Sequence, residues 1–577
     1  MRVTSSLVVL VAMIASASPT PVVAQVKELP LKYSGPPTKP EISAGDLMTR
    51  LYQFADDSMM GRQVGTEYNN KGTAYIESEV RRLGLKPGGD NGTYFQTLPY
   101  AVRALDSAST ITAGGQTFKA GVDFLASAGG TPKQLHDVAV VYGGTAADTV
   151  NVLSNEQVRG KIVLLRAFTP PPGFDQLKFF TSEGFKRYQA SLAGAQSVIV
   201  ITDAFNPAVV RNIFAPARPA FLRPEEVPIG LTVTAKMAEA LLGGPIDGLA
   251  KGATGNAITI TTDIHFKDDP RQVGRNVIAI LEGSDPKLKG EFVAIGAHND
   301  HVGFNQRPVD HDSVKAYMLT VLPQGADNRR VAPTAEQLAA VKALTDSLHA
   351  IHGGIRRDSI YNGADDDGSG SVSVLEIAEA FANAKVKPKR SVVFVWHAGE
   401  EAGMLGSGLF TDHPLPSVPR DSIVAQLNMD MVGRGRATDA TGEAKDGSLL
   451  HGGKGYLQLV GSRRLSSELG DLVEKVNQDE RLGFVFDYSI DANGHPQNIY
   501  CRSDHWSYAK WGIPVVFMTT GGHADYHQIT DEPQYIDYDH MADVARLVYA
   551  LATRVGNLDH RIIVDKPKPD PRGPCQQ

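Results

Sequence analysis

Five apolar runs constrain this chain's fold more than any other feature: NVIAILEG from position 276, EFVAIGAHND from 291, SVVFVWHAGEE from 391, IVAQLNMDMVG from 423 and IPVVFMTT from 513. Each is a near-continuous Val, Ile, Ala and Phe stretch, as strands buried on both faces are, and segments of helical period separate them. Strand-to-helix alternation of this kind predicts the α/β class, a mostly parallel mixed sheet flanked by helices. In open α/β sheets the ligand crevice lies outside the carboxyl ends of the strands. Polar residues at those ends are therefore the candidates for chemistry.

The strand ends carry such residues repeatedly. EFVAIGA runs into His298, Asn299, Asp300 and His301, SVVFVWHAG into Glu400 and Glu401, and IVAQLNM into Asp430. IPVVFMTTGG is followed by Tyr526 and His527, and a glycine-bounded turn, GADDDGSG at 363–370, opens the helical pattern SVSVLEIAEAFANA. Five loops thus bring carboxylates and imidazoles to one sheet edge, the donor set of two borderline divalent cations, and Asp365 is expected to bridge them because its turn holds a carboxylate over the crevice. Asp365, Glu401 and Asp430 against two divalent ions leave one net positive charge, which favours a bound hydroxide. Asp367 or Ser369 is left to cap the following helix, with Asp366 shaping the backbone. Residues two apart on an extended chain point the same way, so Asp300 is expected to accept a hydrogen bond from the His298 ring nitrogen facing away from the metal. Adjacent carboxylates at Glu400 and Glu401 repel unless they divide the work, one as ligand and one as proton carrier.

Outside this edge the sequence sets the organisation. Residues 1–24 read as a secretory signal peptide: one positive charge, an apolar run from Leu7 to Ile14 and a small-residue exit at Ala24. No anchor is read. About 550 residues remain, beyond the ~250–300 that one core supports, so at least two domains are expected. Composition, 42% hydrophobic and 21% charged with net charge -7, lacks the basic stripe of a nucleic-acid binder. Cys501 and Cys575 allow one bridge or two free thiols. Residues 40–105 carry two amphipathic helices, residues 106–268 short strand runs between glycine turns without catalytic spacing, and residues 270–557 the α/β pattern. The tail at 558–577, rich in Pro and charge, is expected to lack order. His311, His349 and His352 have no partner spacing and are placed at the surface.

GAHNDHVG, GADDDGSG, AGEEAGMLGS, NMDMVGR, SDHWSYAKWGIP and DYHQITDEP stand in the order and style of the M28 family of co-catalytic zinc metallopeptidases, over roughly 40–105 and 270–555. This resemblance implies a zinc-exopeptidase-like fold with two zinc ions. By it His298 and Asp430 hold one ion, Glu401 and His527 the other, Asp365 bridges them, Glu400 is the general base, and Tyr526 donates to the oxyanion. It also implies a cis peptide between Asp365 and Asp366, with Ser503, Asp504 and His505 bracing the loop. His301 is read as a hydrogen-bonded loop residue. GKIVLLRAF, LAGAQSVIVITD and VPIGLTVTAKMAEALLGG follow one another as in the protease-associated (PA) domain inserted in several peptidases, so 106–268 resembles such a module. The expectation is an exported exopeptidase that removes N-terminal residues from peptides by metal-bound hydroxide attack. A glutamate carboxypeptidase-like enzyme would instead need a basic pocket, for which Arg434, Arg436 and Arg502 are candidates, and a metal-free binding module is the third reading. The 60 or so residues between His301 and Gly363 exceed a simple crossover and are expected to form a lid or specificity wall. They include GADN at 325–328, an imitation of the aspartate motif without its Ser-Gly and apolar helix.

Overall fold

A computed structural model describes residues 29–577 apart from 172–173, 175–178, 180–181, 215–217, 223–228, 270–272 and 329–331. The expected signal peptide lies outside the described residues. All five apolar runs are strands of one sheet, and the mixed, mostly parallel α/β architecture is observed. Its strands are β1 (Arg275–Leu281), β2 (Phe292–His298), β3 (Ser391–His397), β4 (Ile423–Met429), β5 (Tyr456–Val460), β6 (Val485–Asp487) and β7 (Val515–Thr519). They stand in the order β1, β3, β2, β4, β7, β5, β6, with Lys86–Pro87 and Phe95–Thr97 also pairing to β1. The central four, β3, β2, β4 and β7, are mutually parallel, while β1 and β5 join them antiparallel. Every residue of β2, β3 and β4 is buried, which is why these runs do not alternate polar with apolar.

Helices α1 (Ala44–Phe54), α2 (Glu67–Arg82), α5 (Gly370–Asn383) and α6 (Tyr538–Asn557) share one core with the sheet. Leu47, Leu51, Ile76, Leu375, Phe381, Leu547 and Leu551 meet Val293, Phe394 and Leu427 in that core. A fully buried side chain of this size contributes ~1.5–3 kcal/mol. An ionic knot locks the three shorter helices together: the buried Arg50 reaches Glu79 at 2.6 Å and Glu376 at 3.0 Å, and also pairs with Glu379. Between β2 and α5 the chain makes the expected excursion. A hairpin of Phe304–Asp310 with Arg357–Ile360 encloses α3 (His311–Val321) and α4 (Ala335–His352). Among the described residues no helix is long and apolar enough to cross a membrane.

The segment from Tyr100 to Asp269 builds its own sheets and core. Five strands lie in the order Phe124–Ala126, Leu231–Thr234, Ser197–Thr202, Ile162–Arg166, Val140–Thr145, and four more form an antiparallel sheet. Ile111, Phe118, Phe124, Val233, Leu241 and Ile260 are buried in one cluster of this segment. The chain enters on Tyr100–Leu105 and leaves on Phe266–Asp269, which pair antiparallel.

The tail departs from expectation. Cys501 and Cys575 form a disulfide with Cα atoms 5.8 Å apart, within the usual range. Gln577 accepts the Tyr500 N–H at 2.9 Å, and its carbonyl accepts that of Gly494 at 2.8 Å. A covalent anchor and specific hydrogen bonds outweigh the composition here.

Candidate functional site

The three aspartates of the turn do not share one direction: the helical backbone breaks at Asp366, with φ -102° and ψ 102°, and at Asp367, with φ -113° and ψ 49°, and their carboxylates go to different partners. Asp365 and Asp367 turn toward the fold. Asp365 Oδ1 accepts the Gly433 N–H at 2.7 Å, and Oδ2 lies 3.0 Å from His523 Nε2. Asp367 accepts from His298 N at 2.9 Å, Gly370 N at 2.9 Å and Met431 N at 3.3 Å. Ser369 Oγ accepts from Val432 N at 2.9 Å. Three consecutive N–H groups after Asp430 are thus capped by this one turn. Gly363, at φ +57°, lets the turn close, since a side chain there would strike the Asp366 carbonyl and the His301 ring.

The expected bridge is accordingly corrected. Asp365 stands outside the cluster, and Asp366 occupies its centre. Asp366 Oδ1 is 3.1 Å from His298 Nε2, whose other close carboxylate is Asp430 at 3.6 Å. Asp366 Oδ2 is 3.0 Å from His527 Nε2, which lies 3.0 Å from Glu401 as well. His301, read from the sequence as a loop residue, also enters: its Nδ1 is 2.8 Å from Glu401 and 3.6 Å from Asp366. The cis peptide likewise lies one bond further on, between Asp366 and Asp367. Left-handed backbone at Met404, Met431 and His527, with φ of 57°, 60° and 56°, flanks the site on three loops. Such conformations in non-glycine residues persist only where surrounding structure imposes them.

The electrostatics suit cations. Burial acts to raise the Asp366 carboxyl, yet the His298 and His527 rings hold it well below the usual carboxylate range. Burial acts to lower His527, yet the Asp366 and Glu401 carboxylates push it up to about 11. Burial, reinforced by the Glu401 and Asp430 charges, pushes Glu400 well above its ordinary value. His298 Nε2, both nitrogens of His301, Asp366 Oδ2 and Glu401 Oε1 are buried without a hydrogen-bond partner. Nitrogen and oxygen donors converging in this way, with buried lone pairs left over, fit divalent metal ions of the borderline class. Atoms of His301, Asp366, Glu401 and His527 lie within 4.8 Å of one another, as do those of His298, Asp367 and Asp430. In the second set Asp367 is already committed to three N–H groups, so Asp366 is the carboxylate free to serve both.

Neighbouring residues hold the cluster in place. Asp300 differs from expectation: its carboxylate is 3.8 Å from His298 Nδ1, and its backbone carbonyl, at 3.1 Å, takes that position. The carboxylate instead accepts the N–H groups of Gly399 at 2.7 Å and Glu400 at 3.1 Å. Ser503 Oγ donates to Asp430 Oδ2 at 2.7 Å, the expected bracing. Tyr526 stacks on the His527 ring, centroids 4.2 Å apart. His311 is buried, not at the surface, between Asp312 at 3.2 Å and Glu532 at 2.8 Å, while His349 and His352 pair with Asp310 and Asp312. Asp327 of the GADN segment makes a two-point pair with Arg502, at 2.9 and 3.1 Å.

The model of peptidase family M28 matches residues 276–552. Leucine aminopeptidase 1 of Aspergillus fumigatus is 29% identical over 203 residues, 33% of this chain and 46% of that protein. Leucine aminopeptidase 1 of Paracoccidioides brasiliensis (strain Pb18) is 30% identical over 204 residues, 33% of this chain and 46% of that protein. The chain thus spans about half the length of the curated relatives it matches. Among solved structures, a zinc aminopeptidase from Bacillus subtilis gives a TM-score of 0.43 at 17% identity, covering 90% of this chain and 96% of that one.

Proposed function

From the match of residues 276–552 to peptidase family M28, we propose that the protein is an exported di-zinc aminopeptidase. One observation carries the reading: the Asp366 carboxylate sits between His298 with Asp430 on one side and His527 with Glu401 on the other. Asp366 would bridge two ions, His298 and Asp430 would hold one, and His527 and Glu401 the other, with His301 against Glu401. Two divalent cations there would polarise the scissile carbonyl and lower the pKa of the attacking water.

The chain's own residues supply the rest. Glu400 takes a proton from the attacking water and passes it to the leaving amine, the role of a positioned carboxylate in general acid–base catalysis. Asp300 fixes the backbone of Glu400 by accepting its N–H. The Tyr526 hydroxyl donates to the tetrahedral oxyanion. A cavity of about 70 Å3 beside Asp430 receives the side chain of the residue being released. The PA-like module of 106–268 would shield the approach. The Cys501–Cys575 disulfide supports an oxidising destination, as does the signal-like N-terminus.

The three arginines that a carboxypeptidase would use are all neutralised. Arg434 pairs with Asp525 at 2.7 Å, Arg436 with Asp537 at 3.3 Å, and Arg502 with Asp327 at 2.9 Å. This favours recognition of a free amine over a free carboxylate. The test is a peptide panel blocked separately at each end, assayed with zinc and after chelation. Cleavage of C-blocked, N-free peptides that chelation abolishes is expected. Turnover confined to N-acetylated, C-free peptides would overturn the reading.

A further inference from the structure

The excursion at 304–360 packs on the loop that carries His527, and it also reaches Arg502 on a neighbouring loop. Lys315 of α3 binds the buried Asp525 at 2.6 and 2.8 Å. His311 Nε2 lies 2.8 Å from Glu532. The Ala326 N–H donates to the Tyr526 carbonyl at 3.1 Å, where Gly325, at φ +61°, brings the two backbones close. Asp327 completes the set by its two-point pair with Arg502, whose guanidinium also comes within 3.4 Å of the Tyr526 hydroxyl.

That last pair stands at the side-chain cavity. The 70 Å3 space beside Asp430 is lined by Met431, Ile490, Phe517, Tyr526, Arg502 and Asp327. Asp430 and the uncharged polar Gln458, Gln497 and Thr441 also reach its walls; Arg502 is the one cation of the lining, and Asp327 is the anion paired with it. Arg502 is 36% exposed and Asp327 23%, so both charges are partly stripped of water and an unpaired one would be felt by an occupant. The planar fork of Arg against a carboxylate holds the two charges in fixed register.

We propose that Asp327, carried on the excursion, is the specificity-determining residue of this cavity: by neutralising Arg502 it restricts the pocket to uncharged N-terminal side chains. The assignment rests on the aminopeptidase reading above. Removing the Asp327 charge leaves Arg502 bare and turns the pocket toward acidic side chains. Removing the Arg502 charge leaves Asp327 bare and turns it toward basic ones.

The test compares wild type, Asp327→Asn, Arg502→Gln and the double variant on Leu, Glu and Lys p-nitroanilides. Asp327→Asn is expected to raise the Glu to Leu ratio of kcat/KM about tenfold, the ratio that ~1.4 kcal/mol yields. Arg502→Gln is expected to raise the Lys to Leu ratio similarly, and the double variant to restore both. Unchanged ratios in either folded single variant would overturn the proposal, so loss of one variant to misfolding leaves the other to decide. Thermal shift with free leucine, glutamate and lysine reads the same pocket without turnover. A wild type inactive on every anilide would therefore sink the aminopeptidase reading, while the ligand shifts would still decide the role of Asp327.

Discussion

The Asp531 carboxylate accepts the backbone N–H of Asp366 at 3.1 Å, and that of Asp365 at 3.0 Å. The loop that supplies His527 thereby holds the turn that supplies Asp366, two parts of the cluster that are far apart in sequence. Replacing Asp531 by Ala leaves two buried N–H groups without acceptors, each costing ~1–3 kcal/mol. Chemical denaturation of Asp531→Ala should show a loss of that order, and chelator competition should show weaker retention of both metals. Wild-type retention would detach this loop from the site.

Asp365 and Asp366 should behave as opposites despite their adjacency. Asp366→Asn removes the carboxylate shared by both histidine sets, so metal content measured by mass spectrometry should fall toward zero. Asp365→Asn disturbs only the Gly433 and His523 contacts. A residue acting through another typically changes metal affinity by about 10–100-fold, so at saturating zinc this variant should still load. Equal loss in both would return Asp365 to the centre.

The sheet was legible because strands buried on both faces leave unbroken apolar runs, and the loops were legible because ligand-type residues ended those runs. The identity of the central aspartate needed one step more. The break in helical backbone at Asp366 and Asp367 sends the three carboxylates to different partners, and three identical residues hide that break until the backbone angles are known. His301 was obscured by its common tendency to bond backbone, and nothing local marks its approach to Glu401. Asp327, Asp525 and Asp531 act across the chain, on partners set by tertiary packing. The order of the tail depends on a pairing between residues 74 apart, which composition does not report.

Glu400→Gln keeps the size and the backbone anchors of this residue while removing its ability to carry a proton. Proton transfer by a positioned side chain contributes roughly 100- to 10,000-fold. Turnover should drop by that factor with unchanged metal content and unchanged melting temperature. Near-normal turnover would remove Glu400 from the proton path.

Removing the Cys501–Cys575 bond releases a loop of 74 residues. Chain entropy over that length gives about 4.5 kcal/mol, and ~2–4 kcal/mol is typical. Cys575→Ser should lower the denaturation midpoint accordingly, and reductant should lower the wild type to match it. A wild type indifferent to reductant would show that the packing of Gln577 alone secures the tail.

His505 gives the protein an acid-labile position. Its ring is fully buried and stacked on Phe517, with centroids 4.7 Å apart, and burial pushes its pKa from 6.5 down to about 3. The unfolded chain therefore binds a proton at this residue below pH 6.5 that the folded chain refuses. The stability this neutral ring provides is complete above pH 6.5, declines as pH falls, and is gone at about pH 3. At pH 5 the deficit from this group amounts to ~2 kcal/mol. His505→Phe preserves the stacking and removes the titration, so its stability should fall less steeply between pH 6.5 and 4 than that of the wild type. Denaturant melts across that range decide the matter, and parallel pH profiles in the two proteins would assign the acid sensitivity to other groups.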